Sequence, residues 1–214
     1  MANHAIAVPY LAYDDIGVRA NGIIREHHPS RELPIPVEDI IDTGLHIDIF
    51  PLPGLTRASV VEEGDGIVAY VNSALNCITV DDDAWGAKTR RYRFSIAHEL
   101  AHIVVHGDIL RQFNYATVSQ WKEAMKAIPT EQYGRLEWQA NAFAGHLLVP
   151  TQELRAHLQD CLDRMHGWSI DLRDEETRSV IERYLADVFH ASSQVVHIRI
   201  DKEELWPQEG PARR

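Results

Sequence analysis

Arg93-Phe94-Ser95-Ile96-Ala97-His98-Glu99-Leu100-Ala101-His102 is the stretch on which the reading of this chain turns. Phe94, Ala97, Ala101, Val104 and Val105 recur along one broad face at helical spacing, Thr89 is a candidate N-cap and Gly107 a candidate stop. Within that helix, residues four apart differ by about 40° and rise about 6 Å, so His98 and His102 project their imidazoles from one side. Such a pair can supply two ligands to a tetrahedral zinc. Glu99, one residue on, lies close to that point but turned aside, which suits a general base acting on water rather than a ligand.

Outward from this helix the pattern changes. Ile16, Ala20, Ile23 and Ile24 predict an amphipathic helix over residues 13–28. Leu33-Pro34-Ile35-Pro36 is extended, because each proline disfavours helix in the residue before it. Val37, Ile40 and Ile41 suggest a short helix that stops at Gly44. Three β-type stretches follow: Leu45 to Phe50, ended by Pro51 and Pro53; Gly66 to Val71; and Cys77 to Val80. Residues 72–76 between the last two read as a hairpin loop. Asp81-Asp82-Asp83 lacks the spacing and glycine of a calcium loop and reads as a solvated turn.

C-terminal to the motif, a helical pattern around Trp121, Ala124, Met125 and Ile128 precedes a strong helix over residues 133–148, which ends before Pro150. Further helices are predicted near 151–165, 174–189 and 193–204, the last two spaced as helix, turn, helix. The fold class expected is therefore α+β, with a small antiparallel sheet of about three strands packed on helices and a C-terminal helical, helix-turn-helix-like region. The expected divisions are residues 1–150, 151–205 and a loose tail over 206–214.

Bulk properties exclude several function classes. The chain has 214 residues, 45% of them hydrophobic and 25% charged, ordinary values for a globular protein with one full-sized core. A net charge of -11 argues against general binding to a phosphate backbone, which needs a basic surface. The second helix of the C-terminal pair carries Asp201, Glu203 and Glu204 against Arg199 and Lys202, so direct DNA binding is not expected there. No stretch has the roughly 18 apolar residues of a membrane span, and the N-terminus lacks the basic start of a signal peptide. Cys77 and Cys161 have no CxxC partner, and free thiols fit a cytoplasmic protein.

A catalytic zinc needs a third protein ligand and an open fourth position. His106 extends the row of histidines but lies eight residues, about 12 Å, along the helix from His98, too far for both to reach one ion. It is a candidate for supporting a ligand from behind. His146 and His157 lie on later helices without a paired motif and read as ordinary core or surface residues. Glu137 is the alternative third ligand, and on spacing alone an ordinary surface glutamate is an equal reading. Asn141, one turn on from it, could hydrogen-bond a ligand imidazole and fix its orientation. Tyr115 and Tyr133, between the two helices, are candidate donors to a developing oxyanion, although tyrosines so placed more often pack. The strand from Gly66 to Val71 could line the cleft and pair with an extended substrate, or could equally be interior.

The motif helix, taken together with Glu137-xx-Ala140-Asn141-x-Phe143-Ala144-xx-Leu147-Leu148-Val149-Pro150, resembles the ImmA/IrrE family of metallo-endopeptidases. Pro34-Ile35-Pro36-Val37 is similar to that family's lead-in to its sheet, and the likeness runs from about residue 13 to 205. The resemblance implies a zincin-like core in which His98, His102 and Glu137 hold Zn2+, with Mn2+ as an alternative, and Glu99 is catalytic. It also implies a cytoplasmic endopeptidase whose protein substrate is a DNA-binding repressor of the helix-turn-helix (Xre) type, in a phage, mobile-element or stress-response system. The alternative is a zincin scaffold without catalysis that acts by partner binding, as in a toxin–antitoxin system. Two departures stand out: the stretch between the motifs is longer than is usual in the family, and the chain stops soon after the helical region, where larger relatives append a sensory domain.

Overall fold

The computed structural model describes residues 6–56, 68–115, 117–165 and 171–207. Helix α1 (Tyr13–His27) buries Ile16, Ala20 and Ile24 along one stripe, with Asp14 and Asp15 in its first turn and Arg25 and His27 in its last, where they suit the helix dipole. A three-residue helix, α2 (Val37–Asp39), continues into a wider π-type turn over Ile40–Gly44. Strands β1 (Asp48–Leu52), β2 (Ala69–Val71) and β3 (Cys77–Asp81) follow. The remaining helices are α3 (Asp82–Ala87), α4 (Arg90–Leu110), α5 (Val118–Lys126), α6 (Thr130–Leu148), α7 (Thr151–Arg164), α8 (Glu175–Phe189) and α9 (Ser193–Lys202).

The α+β class stands, with one correction to the sheet. Its strand order is β1-β3-β2: β2 pairs antiparallel with β3 through the expected hairpin loop, but β1 lies on the far side of β3 and runs parallel to it. Alternation marks which residues share a face and carries no information on strand direction, so β1 could not be oriented from its sequence. Its position also explains Pro51, which opposes Val80 inside the strand rather than ending it. An edge strand can spare the N–H that proline lacks. Gly66 and Ile67, expected in β2, lie outside the described residues, as does most of the C-terminal tail.

The acidic turn at Asp81 is likewise more than a solvated bend. Asp81 is buried, its side chain accepts from the Ala84 and Thr56 backbone N–H groups, and it caps α3. Those backbone donors outweigh the cost of burial and hold its carboxyl below the usual range. Gly107 is not a stop: α4 runs on to Leu110, and a Cβ on Gly107 would sit 3.3 Å from a Leu75 methyl of the β2–β3 loop.

Helix α6 is the centre of the packing. It lies against α4 on one side and α1 on the other, and its C-terminal half is almost wholly buried. The main core runs without a break from Ile16 and Ile24 through Ile78, Ile96, Leu100 and Phe143 to Leu185, Val196 and Ile200. A smaller core, made by Val8, Val71, Leu75, Leu110, Tyr115, Met125, Ile128 and Leu136, seats the segment between the two motif helices against the hairpin. Arg199 fastens α9 to this body. It is 1% exposed, donates to Val149 O and the Tyr13 and Thr151 hydroxyls, and pairs with Glu203. A buried guanidinium needs this many partners, since each unmet donor costs the full desolvation of that group.

His146 belongs to the same junction. Its ring packs at a tilt against Tyr13 with centroids 4.5 Å apart, and a Cβ on Gly17 would fall 2.6 Å from it. Burial and the nearby Arg199 push its pKa down to about 3, so it packs as a neutral ring. His157 stands edge-on to Phe189. Gly17 is therefore required by close approach of α1 and α6. Gly22, further along α1, differs: among the described residues nothing lies within 4 Å of where its methyl group would stand. Ala is favoured over Gly in a helix interior by about 1 kcal/mol, so Gly22→Ala should raise the melting temperature. Gly17→Ala should instead destabilise by about 1–3 kcal/mol through overpacking. Thermal denaturation of the two variants side by side tests this; equal shifts would remove the steric account.

Candidate functional site

The site lies where α4 faces α6. Helix α4 begins at Thr89, whose hydroxyl accepts from the Tyr92 N–H, and is held by Tyr92, Ile96, Ala97, Leu100 and Ala101, all buried. This fixes the rotation of the helix, and with it His98 and His102. Their Nε2 atoms stand 3.0 Å apart. From α6, Glu137 presents Oε2 at 3.2 Å from His98 Nε2 and Oε1 at 3.6 Å from His102 Nε2.

The three side chains thus converge in one small triangle, each imidazole nitrogen nearest its own oxygen of the Glu137 carboxylate. Ligands at about 2.0–2.1 Å from a tetrahedral zinc lie about 3.3 Å from one another, so the observed separations fit a metal of that kind. The donor set of two imidazoles and a carboxylate also suits it chemically. An oxygen of Glu99 lies within 4.8 Å of the imidazole nitrogens of His98 and His102, and this group could hold a metal ion.

Behind each imidazole stands a polar partner. Asn141 Oδ1 is 3.0 Å from His98 Nδ1, as one turn of α6 beyond Glu137 requires. His106 Nδ1 is 3.2 Å from His102 Nδ1, and His106 Nε2 is 2.9 Å from Gln139 Oε1. His106 therefore backs a ligand candidate and does not join the donor triangle. Gln139 went unnoticed in the sequence because glutamine beside a tryptophan on a helix carries no distinguishing mark; only its spacing of two residues from Glu137 hinted at the same helix.

Electrostatics follow from burial and from these partners. Burial opposes a charge on His98, but the hydrogen bond with Glu137 and the neighbouring Glu99 carboxyl outweigh it and hold its pKa above the ordinary imidazole value. His102 goes the other way: burial, then the adjacent His98 and His106, push it well below that value. Burial also lowers His106, partly offset by its bond to Gln139. Glu99 is 8% exposed, and burial pushes its carboxyl up to about 8, with His98 and a hydrogen bond from the Val71 N–H pulling down.

The two tyrosines separate. Tyr115 is buried and its hydroxyl donates to Val71 O at 3.0 Å, which turns it to the strand. Tyr133 remains beside the site, close enough for the Glu137 carboxyl to add to burial in raising its pKa. Burial raises the pKa of both phenols, so both stay protonated. Strand β2 is an edge strand next to the site, but at Val71 the outward carbonyl already accepts from the Tyr115 hydroxyl. Substrate pairing by strand addition is therefore closed at that residue.

Glu99 generates a pH test in the metal-free protein. Its folded pKa of about 8 lies above the ordinary 4.5, so the folded state holds a proton that the unfolded state has released. Its contribution to stability is present below about pH 4.5 and lost as pH rises toward 8. Metal-free Glu99→Gln should therefore melt higher than wild type, by roughly 5 °C or more at the alkaline end of that window. The gap should close toward pH 4.5, and calorimetry across the range would expose a constant gap, which contradicts the account.

Residues 86–201 match the profile of the Peptidase_M78 family, described as an IrrE N-terminal-like domain. No curated protein sequence matches the chain. Among solved structures, a Mycobacterium tuberculosis transcriptional regulator is similar in fold, with a TM-score of 0.50 and 19% identity. The match covers 94% of this chain and 58% of that one, so this chain spans well under two thirds of the regulator's length. The family match takes in more than half of the residues and both motif helices, and the chain belongs to the Peptidase_M78, IrrE N-terminal-like family of metallopeptidase-like domains.

Proposed function

We propose that this chain is a zinc-dependent endopeptidase of regulatory proteins, with His98, His102 and Glu137 as metal ligands and Glu99 as general base. The observation that carries the proposal is the donor triangle of 3.0, 3.2 and 3.6 Å drawn from two helices, with a buried carboxyl beside it. When bound, the metal supplies Lewis-acid activation of water and of the scissile carbonyl. Glu99 takes the proton of the attacking water and returns it to the leaving amine. In the metal-free site burial favours the protonated carboxyl, and a bound dication would draw Glu99 back toward the carboxylate that a general base must be. Asn141 and His106 hold the two imidazoles from behind. Tyr133, protonated and next to Glu137, is the donor placed to meet negative charge developing on the carbonyl oxygen.

The substrate proposed is a helix-turn-helix repressor of the Xre type or a similar regulatory protein in the cytoplasm, within a phage, mobile-element or stress-response system. The resemblance to the ImmA/IrrE metallo-endopeptidases motivates this choice, and the acidic balance of the chain suits association with a basic DNA-binding protein better than with DNA itself. Residues 151–205 serve in this reading as a helical unit for packing or protein docking. One of the two basic residues of its last helix, Arg199, is buried and fully engaged.

Co-incubation of the protein with the repressor encoded beside it, with metal content measured on every sample, tests the reading. Glu99→Gln should keep one metal per chain while cleavage falls by about 10²–10⁴-fold, the usual worth of a general base. Cleavage unchanged in that variant would end the mechanism, and repressor bound but uncut by both proteins would point to a non-catalytic binding module. Tyr133→Phe should retain the metal and lower kcat by about 10²–10³-fold, the cost of losing one oxyanion donor; an effect on KM alone would remove Tyr133 from that role.

A further inference from the structure

The chain of contacts behind His102 does not stop at His106. Gln139 is 1% exposed, and its Nε2 donates to Pro9 O at 2.7 Å while its Oε1 faces His106 Nε2 at 2.9 Å. Two further side chains of α6 hold the same N-terminal segment. Gln132 Oε1 accepts from the Val8 N–H at 2.7 Å, and Arg135 donates to Val8 O at 3.0 Å. Residues 132, 135 and 139 share one face of the helix by their spacing of three and four. Val8 and Pro9 are thereby strapped along α6, with Val8 packed in the smaller core.

This strap gives the hydrogen bonds a direction. A backbone carbonyl only accepts, so the amide group facing Pro9 O must be the NH2 of Gln139; the reverse orientation would set two acceptors 2.7 Å apart. The Gln139 oxygen then faces His106 and only accepts, so the proton is on His106 Nε2. A neutral His106 protonated there has a bare Nδ1. That nitrogen faces His102 Nδ1 at 3.2 Å, a contact that needs one proton, which His102 must supply. His102 therefore carries its hydrogen on Nδ1 and keeps the Nε2 lone pair free on the side of His98 and Glu137.

We propose that Gln139, fixed by the Pro9 carbonyl, is a positioning residue that sets the tautomer of His102 through His106, and that the N-terminal strap is in this way part of the metal site. The inference rests on the metal-site reading above but is separable from it, because a tautomer exists without a metal.

The test uses the full chain in three variants: Gln139→Met, which keeps volume but removes acceptor and donor; His106→Asn, whose Oδ1 can stand where Nδ1 stood; and His106→Leu, which cannot accept. Imidazole 15N shifts of the metal-free protein report the tautomer of His102, and competition with a chromophoric chelator reports zinc affinity. In wild type the His102 proton should be on Nδ1. Gln139→Met should mix the two tautomers and weaken zinc binding by about 10–100-fold, the range for loss of such a supporting contact. His106→Leu should do the same, while His106→Asn should stay within about threefold of wild type. A mere packing role predicts the opposite order at this buried position, with Leu tolerated better than Asn. Unchanged tautomer and affinity in Gln139→Met overturn the inference while leaving the metal site intact. Should Gln139→Met fail to fold, the His106 pair decides. Wild type that binds no zinc would sink the metal-site reading, and the 15N shifts would still decide the tautomer.

Discussion

Two buried helices, α4 and α6, must meet at one rotation about their axes, because only that rotation brings Glu137 within 3.6 Å of both His98 and His102. The interior of a protein is packed to the density of a crystal and does not deform continuously, so an apolar interface is an effective way to hold polar atoms to a few tenths of an ångström. Tyr92, Ile96, Leu100 and Ala101 on α4 and Ala140, Phe143, Ala144 and Leu147 on α6 belong to the one continuous core that holds both helices. The ligand candidates are the rim of this contact. Everything else in the fold bears on it: α1 braces the other side of α6, the sheet brings Val71 up to Glu99, and α9 reaches back through Arg199 to close the C-terminal end.

A consequence is that the site combines three unlike environments within 4.8 Å of one another. His98 is drawn toward the charged form by carboxylates, His102 is pushed firmly to the neutral form, and Glu99 is pushed toward the protonated form. A bound dication would supply positive charge beside the buried Glu99 carboxyl and the half-buried Glu137.

How far the sequence could be read depended on whether a feature is local. The HExxH helix, its cap at Thr89 and the single-face projection of the histidines follow from periodicity and were legible, as were helices α1, α6, α7, α8 and α9 to within a few residues. Glu137 was ambiguous, since a glutamate on a helix is common and its role depends on a partner far away in the chain. The direction of β1 was hidden because the alternation of a strand is the same read either way, and Pro51 misled because its tolerance depends on the strand being at an edge. Gly107 misled for a related reason: its missing side chain makes room for Leu75 and does not end a helix. The link from Pro9 through Gln139 to His102 crosses most of the chain and uses an ordinary glutamine, so nothing in the order of residues announces it.

The edges of the small sheet have a further meaning. A strand with unpaired backbone groups is a template on which another chain can grow, and proteins blunt such edges in several ways. Here β1 carries Pro51, which offers no N–H, and β2 has its Val71 carbonyl occupied by the Tyr115 hydroxyl, with the Glu99 carboxyl beside the Val71 N–H. The same glutamate that sits beside the candidate metal site therefore also lies against the open edge of the sheet.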